Sequence, residues 1–212
     1  EITGYVTLKY FERAQKTVRI FNRYGMGASA RYTNKSKIAG FSNTFSVGGD
    51  LFYQTGPIEE YNNINGLKGD NLLTLVDETI QNAGFFLQER FELIPDKFAL
   101  LLTGRYDNVT FAAKNRLLGS QDDRKKYEAF TPKLALNYKL TPYLSLYTSY
   151  GLSFDSPAGN ELDNYPTSSN QGKIYNPDLE AQKSKNFEFG AKGNLIFSKG
   201  LFNYLFFEGT FF

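Results

Sequence analysis

The sequence predicts an all-β chain: an antiparallel up-and-down meander forming part of a transmembrane β-barrel of about nine strands. Three observations predict it. Apolar and polar residues alternate with a period of two along most of the chain, the signature of strands rather than helices. The connections between these segments are short and long in turn. Phe and Tyr gather near the segment ends, where a barrel in a bilayer carries its aromatic girdles.

The elements follow in order. Residues 2–11 place Ile2, Val6, Leu8 and Tyr10 on one side and Thr3, Tyr5, Thr7 and Lys9 on the other. Residues 17–32 alternate least and form the least distinct strand. Residues 41–54 set Phe45, Val47, Leu51 and Tyr53 against Ser46, Asp50 and Gln54. In residues 82–94, Phe85, Leu87, Phe91 and Leu93 oppose Gln88, Arg90 and Glu92, with Glu89 breaking the pattern. Residues 98–111 set Phe98, Leu100, Leu102 and Tyr106 against Thr103, Arg105 and Asp107. The second half is cleaner. Leu134, Leu136, Tyr138 and Leu140 oppose Lys133, Ala135, Asn137 and Lys139; Leu144, Leu146, Tyr150, Leu152 and Phe154 oppose Ser145, Ser149, Gly151 and Ser153. In residues 185–197, Phe187, Phe189, Ala191, Leu195 and Phe197 oppose Asn186, Glu188, Gly190, Lys192 and Asn194. Lys, Glu and Asn opposite Phe and Leu, strand after strand, suit a wall with hydrocarbon on one side and water on the other.

Short turns are expected at residues 34–37, 95–97, 141–142 and 198–200. Long polar loops are expected at 56–81, 114–126 and 155–183. A meander with two such unequal ends matches outer-membrane barrels, whose turns are tight on the periplasmic side and extended outside.

Composition excludes much else. The chain has 24 Lys+Arg against 22 Asp+Glu, a net charge of +2. That is no concentrated basic patch for nucleic acid. It has no Cys and no His, which removes disulfides, thiolate and Ser-His-Asp chemistry and the commonest zinc ligands. No catalytic residue, cofactor or resident metal is expected. Glu59, Glu60 and Asp70 stand among Asn62, Asn63 and Asn65, but in an order unlike a calcium loop. No apolar run approaches the roughly 18 residues of a spanning helix. The 20 Phe and 15 Tyr, without Trp, make 17% of the chain aromatic.

Residues 131–154, TPKLALNYKLTPYLSLYTSYGLSF, followed by NPDLEAQKSKNFEFGAKG at 176–193, resemble the barrel of a TonB-dependent outer-membrane receptor. That family carries a Pro-Lys/Arg strand, a short turn, a Tyr-x-Ser-Tyr-Gly-x-Ser-Phe strand and a long loop. An Asn-Pro-x-Leu segment and a Phe/Tyr-Glu-x-Gly-x-Lys strand come next. Gly104-Arg105-Tyr106-Asp107 resembles its Gly-x-Arg-Tyr-Asp strand, and residues 47–54 match loosely. One departure is Glu180-Ala181-Gln182, where the family usually has Lys-Pro-Glu.

The resemblance implies that residues 1–212 are an incomplete part of a barrel of roughly 22 strands, without the family's plug domain. It implies uptake of a ferric siderophore or similar bulky, scarce solute, driven by TonB through a plug. Partners would include outer-membrane lipid and lipopolysaccharide, and the location would be the outer membrane of a Gram-negative bacterium. Arg90, Arg105 and Asp107 are expected to face the lumen. Tyr61, Arg124, Tyr165 and Tyr175 are the loop candidates for holding ligand. A passive porin is the first rival; it shares the alternation and differs in lacking a plug. An outer-membrane hydrolase and a soluble β-sandwich are poorer rivals.

Overall fold

The structure is a computed structural model and describes residues 1–117, 121–159, 161–162, 174–196 and 204–212. Among the described residues, nine strands form one antiparallel sheet whose spatial order is the chain order. They are β1 (Ile2–Ala14), β2 (Thr17–Ile38), β3 (Phe41–Ile64), β4 (Leu67–Ile94), β5 (Phe98–Asn115), β6 (Gln121–Thr141), β7 (Leu144–Asp155), β8 (Gln182–Ile196) and β9 (Tyr204–Phe211). Residues 17–32, the weakest stretch in the sequence, lie within β2. The sheet is open, with β1 and β9 at its edges. No helix among the described residues is long and apolar enough to cross a membrane, which says nothing of strands.

Register decides what each face carries, because directly paired residues share a face. Leu8 pairs with Tyr24, Met26 with Tyr53, Phe85 with Tyr106, Tyr106 with Phe130, Leu102 with Leu134, and Tyr150 with Phe187. These rows make a continuous apolar face. The opposite face holds Arg23, Asp50, Glu78, Arg90, Arg105 and Asp107, brought into line by the same pairings.

Burial is the reverse of a water-soluble domain's. Among the described residues, nine apolar side chains are buried while thirty-seven large ones stand exposed. Leu134 is 43% and Phe187 55% exposed, so no second protein layer covers that face. The exception in the sequence pattern, Glu89, is satisfied locally. Asn43 donates through Nδ2 to the Glu89 carboxylate, and Ser36 Oγ donates to Asn43 Oδ1 at 3.2 Å. A carboxylate on an apolar face is costly unless hydrogen-bonded in this way.

The strands are far longer than the 9–11 residues a bilayer needs: 22 in β2, 24 in β3 and 28 in β4. This corrects two expected loops. Residues 56–81 are the top of a β3–β4 hairpin closed by a tight turn at Asn65–Gly66, with φ of 53° and 90°. Two successive positive φ values give a primed turn, whose twist matches that of the paired strands. Residues 114–126 are likewise mostly strand, since β5 runs to Asn115 and β6 starts at Gln121. These stretches are polar because neither face of a strand outside the membrane meets hydrocarbon. Lack of alternation there marks water rather than a loop.

One short turn is also misplaced by the sequence. Residues 34–37 lie inside β2, and the chain reverses at Ala39–Gly40, with φ of 51° and 86°. The turn at 95–97 falls at the expected place, and the one expected at 141–142 lies one residue later, at 142–143, because Thr141 still belongs to β6. Residues 198–200 lie outside the described residues.

Candidate functional site

Three arrangements on the polar face are candidates. The first centres on Arg105. Asp50, Gly84 and Asp107 form one row across β3, β4 and β5. Arg105 lies over the glycine. It donates from Nη1 and Nη2 to the two oxygens of Asp50 at 2.8 and 3.1 Å, and from Nε and Nη2 to Asp107 at 2.7–2.9 Å. A Cβ on Gly84 would meet the guanidinium, so the missing side chain is what seats the cation between two acids. This planar, two-sided pairing is a geometry only Arg provides.

The second is a strap. Its described residues, Leu162 and those from Ile174 to Leu179, lie over the polar face. Leu162 and Tyr175 are buried against Val76, Val109, Phe111, Ala113 and Tyr127, with Ile80, Phe154, Ile174 and Leu179 around them. Alternate residues of β6 hold the returning chain. Asp123 accepts the backbone N–H of Ile174 and Tyr175 at 2.9 Å each, and Lys125 Nζ donates to the carbonyls of Asn176 and Pro177 at 2.6 and 2.7 Å. The Tyr127 hydroxyl donates to the Leu179 carbonyl at 2.9 Å. Burial pushes the Lys125 ammonium below its ordinary pKa, against the opposing pull of Asp178, Asp123 and Glu180. Burial also pushes the Tyr127 phenol up.

The third lies on the β1–β2 hairpin. Lys9 pairs with Arg23, Phe11 with Phe21, and Arg13 with Arg19. The two rings stack with centroids 5.6 Å apart and planes 18° apart. Arg19 and Arg23 lie over the Phe21 ring at 4.9 and 5.0 Å, inside cation–π range. Arg23 is also bonded to Glu78, itself 4% exposed, and Arg19 lies 3.2 Å from Glu60. Gly56 occupies the row between Arg23 and Glu78, leaving the guanidinium room to cross. A cavity of about 410 Å³ is bounded by these six side chains of β1 and β2, Ile58, Ala158 and Gly159.

Of the residues singled out from sequence, Arg105 and Asp107 come together as partners. Arg90 is on the same face but makes a separate, half-exposed pair with Glu92 at 2.9 Å. Tyr61 belongs to β3 and Arg124 to β6, so neither is a loop residue. Tyr61 donates to Glu59 at 2.8 Å and has Lys68 3.7 Å from its ring centroid. Tyr175 is buried against Phe111 within the strap and offers no open aromatic surface. Tyr165 lies outside the described residues. The oxygen-rich stretch is spent on structure: Asn63 Oδ1 accepts the Gly66 N–H at 2.7 Å, and Asn62 Oδ1 accepts that of Asn71 at 2.9 Å. Among the described residues no group of three acids gathers as a metal site would require.

Sequence reasoning missed the hairpin ladder and the strap. The ladder had a signal. Lys9-x-Phe11-x-Arg13 and Arg19-x-Phe21-x-Arg23 mirror each other across the turn, so antiparallel pairing must match ring with ring and cation with cation. The strap had no such signal, because its contacts join residues about 50 positions apart.

An open antiparallel sheet, apolar on one face and ion-paired on the other, has many relatives. The family model for the TonB dependent receptor-like β-barrel matches residues 3–212. The chain belongs to the TonB-dependent receptor β-barrel family. No curated protein matches it. Several solved structures share its fold. The ferric citrate transporter FecA in its unliganded form is 16% identical, with a TM-score of 0.70 over 91% of this chain and 29% of that one. BauA, the ferric preacinetobactin receptor from Acinetobacter baumannii, is 22% identical, with a TM-score of 0.60 over 84% of this chain and 27% of that one. FyuA, the ferric yersiniabactin uptake receptor from Yersinia pestis, is 13% identical, with a TM-score of 0.58 over 91% of this chain and 30% of that one. At such identities the likeness shows the fold alone. The chain spans less than a third of each receptor.

Proposed function

We propose that this chain is part of the barrel wall of an active outer-membrane receptor that takes up a ferric siderophore or a similar bulky, scarce solute in a Gram-negative bacterium. The carrying observation is the division of the receptor-family sheet into an uncovered apolar face and an ion-paired polar face. Lipid bathes the first and the aqueous lumen the second, so Arg90, Arg105 and Asp107 face the lumen. The long β2–β6 ends and the strap stand on the extracellular side, and the tight turns on the periplasmic side.

The open sheet, and its coverage of less than a third of the related receptors, support a larger barrel of which residues 1–212 are one stretch. Transport then proceeds without covalent chemistry. The wall holds position, solute is captured at the outer end, and TonB draws open a plug carried elsewhere in the receptor. Ferric chelates are the favoured cargo because three relatives are named for ferric transport or ferric-chelate recognition.

Growth of a strain lacking the intact receptor on defined iron sources tests this reading. Loss of growth on one chelate, reproduced by removing TonB, is the expected result. Uptake that persists without TonB or the proton gradient would instead identify a passive channel.

A further inference from the structure

The outward face of the sheet changes character just above its apolar belt. The outward row beyond Phe85, Tyr106 and Phe130 holds Leu51, Ala83, Asn108 and Glu128, and the next holds Met26, Tyr53, Gln81, Thr110 and Lys126. Each row is apolar at its β2–β3 end and charged at its β6 end. Lys126 also stands farther from its tight turn at 142–143 than Met26 does from its own at 39–40. A tilted row therefore climbs from hydrocarbon toward water as it crosses the sheet.

Two clefts flank this part of β6. The first, about 660 Å³, runs across the small Ala83 from Met26 and Leu51 to Thr110, Arg124 and Lys126. The second, about 370 Å³, opens where β6 and β7 part. Their pairing stops at Lys133–Gly151, beside Pro132, which has no N–H to give the ladder. Phe130, Leu152 and Phe154 line this cleft together with Lys183 and Lys185 of β8. Between the clefts rises an outward ridge of β6: Phe130, Glu128, Lys126 and Arg124. Glu128 fixes the ridge, accepting from Lys126 Nζ at 2.8 Å, from Asn108 Nδ2 at 3.1 Å and from the Tyr106 hydroxyl. Lys126 keeps protons to donate elsewhere, since an ammonium carries three. Asp122, the acid above Arg124, shares its row with Lys114. Strands β2 to β7 are all interior to the sheet, so no open edge shapes the ridge.

Apolar clefts that reach into the belt beneath cations suit a lipid with an anionic headgroup. A guanidinium beside an ammonium favours phosphate over a zwitterion. The clefts lie on the two flanks of β6, about 10 Å from side to side. The two chains of a glycerophospholipid leave neighbouring carbons and lie against each other, so spanning the ridge takes a wider headgroup. We infer that the Arg124–Lys126–Phe130 ridge and its two clefts form a binding site for a phosphorylated sugar lipid with several acyl chains, its phosphate on the two cations and a chain in each cleft. This goes beyond the uptake reading and rests only on its assignment of faces.

The test uses the intact receptor that contains this chain, stripped of bound lipid by detergent washing. Three labelled probes are compared by their retention with the protein on gel filtration: bisphosphorylated lipid A, the same lipid with its phosphates removed, and phosphatidylglycerol. The wild type is expected to hold lipid A about tenfold more tightly than either other probe. Arg124→Gln with Lys126→Gln should weaken lipid A binding about tenfold, the loss of one or two charge-assisted hydrogen bonds. It should also bring the two forms of lipid A to one affinity. Ala83→Phe fills the first cleft with an apolar ring, which the lipid side of a barrel accepts. It should weaken both forms about threefold, through lost chain packing, and keep the preference for phosphate. Unchanged heat-modifiability of the barrel on gels confirms folding, and Ala83→Phe carries the test if the charge variant does not fold. Lipid A binding that neither variant alters overturns the inference, as does equal binding of lipid A and phosphatidylglycerol by the wild type. Full competition by inorganic phosphate marks a plain anion site and overturns it too. If the variants bind as wild type and Phe187→Lys also assembles as wild type, the assignment of faces falls. If they bind as wild type while Phe187→Lys fails to assemble, only the lipid site falls.

Discussion

At the scale of single residues, glycines set the electrostatics of the polar face. Gly84 lets Arg105 reach both Asp50 and Asp107, and Gly56 lets Arg23 reach Glu78. Arg105→Gln removes the shared cation and leaves two carboxylates facing each other across one glycine. A loss of about 1–3 kcal/mol is expected, seen as a lower unfolding midpoint of the intact receptor in detergent; an unchanged midpoint would show that lumen water solvates the pair fully. Gly56→Ala should be worse for its size. The new Cβ runs into the backbone carbonyl of Asn22, which cannot swing aside, and overpacking of this kind costs about 1–3 kcal/mol. Pro57 follows it and has no N–H to give, so the strand here already lacks one ladder bond with which to absorb the shift.

At the scale of elements, the strap is the least sheet-like part and the most exposed to titration. Tyr127 lies beyond the apolar belt, whose last outward aromatics on β5 and β6 are Tyr106 and Phe130. Its phenol is held protonated by burial while donating to Leu179. The folded pKa is raised, so this contribution is intact below the ordinary value of about 10 and is lost as pH rises through the folded value. Phenolate absorbance of the wild type, less that of the Tyr127→Phe variant, isolates this one phenol. The difference should show ionisation later than that of a free tyrosine, together with rising protease cleavage between residues 174 and 181. Ionisation at the ordinary value would remove Tyr127 from the latch.

The strap and the tall hairpins mark where the sequence stops being legible. Inside the membrane, one face of each strand must be apolar, so residues such as Leu134, Leu136 and Tyr138 announce the strand and its facing together. Outside it, neither face meets hydrocarbon, the period-two signal fades, and Gly56 to Gln81 reads as loop although most of it is paired strand. The residual signal was Asn65–Gly66, a two-residue turn whose chemistry demands a hairpin. The same physics hid the sites. Arg105 and Asp107 are two apart on one strand and could be read as a pair, while Asp50 joins them only through register. Tyr175 read as an exposed loop aromatic because nothing local shows that Phe111 covers it.

At the scale of the whole molecule, the apolar face is a membrane-facing surface, and its tolerance to charge should follow depth. Phe187 shares a row with Tyr150, well inside the belt. Phe187→Lys should cost about 2–4 kcal/mol, the usual penalty for a cation near the bilayer midplane on the lipid side of a barrel. Asn186→Lys, one residue away on the opposite face, should cost little. Comparable amounts of both variants assembled in the outer membrane would contradict the assignment of faces.

The β3–β4 hairpin has a further consequence. Residues 67–81 carry β4 past the belt, and at about 3.3 Å per residue with a barrel-like tilt they put Asn65 and Gly66 roughly 40 Å beyond it. In the proposed orientation, anything approaching the cell from outside, whether antibody, phage or toxin, meets that tip before it meets the pore. A short epitope spliced between Asn65 and Gly66 should therefore be stained on living cells without permeabilisation, and the same epitope at Ala39–Gly40 should stay dark until the envelope is breached.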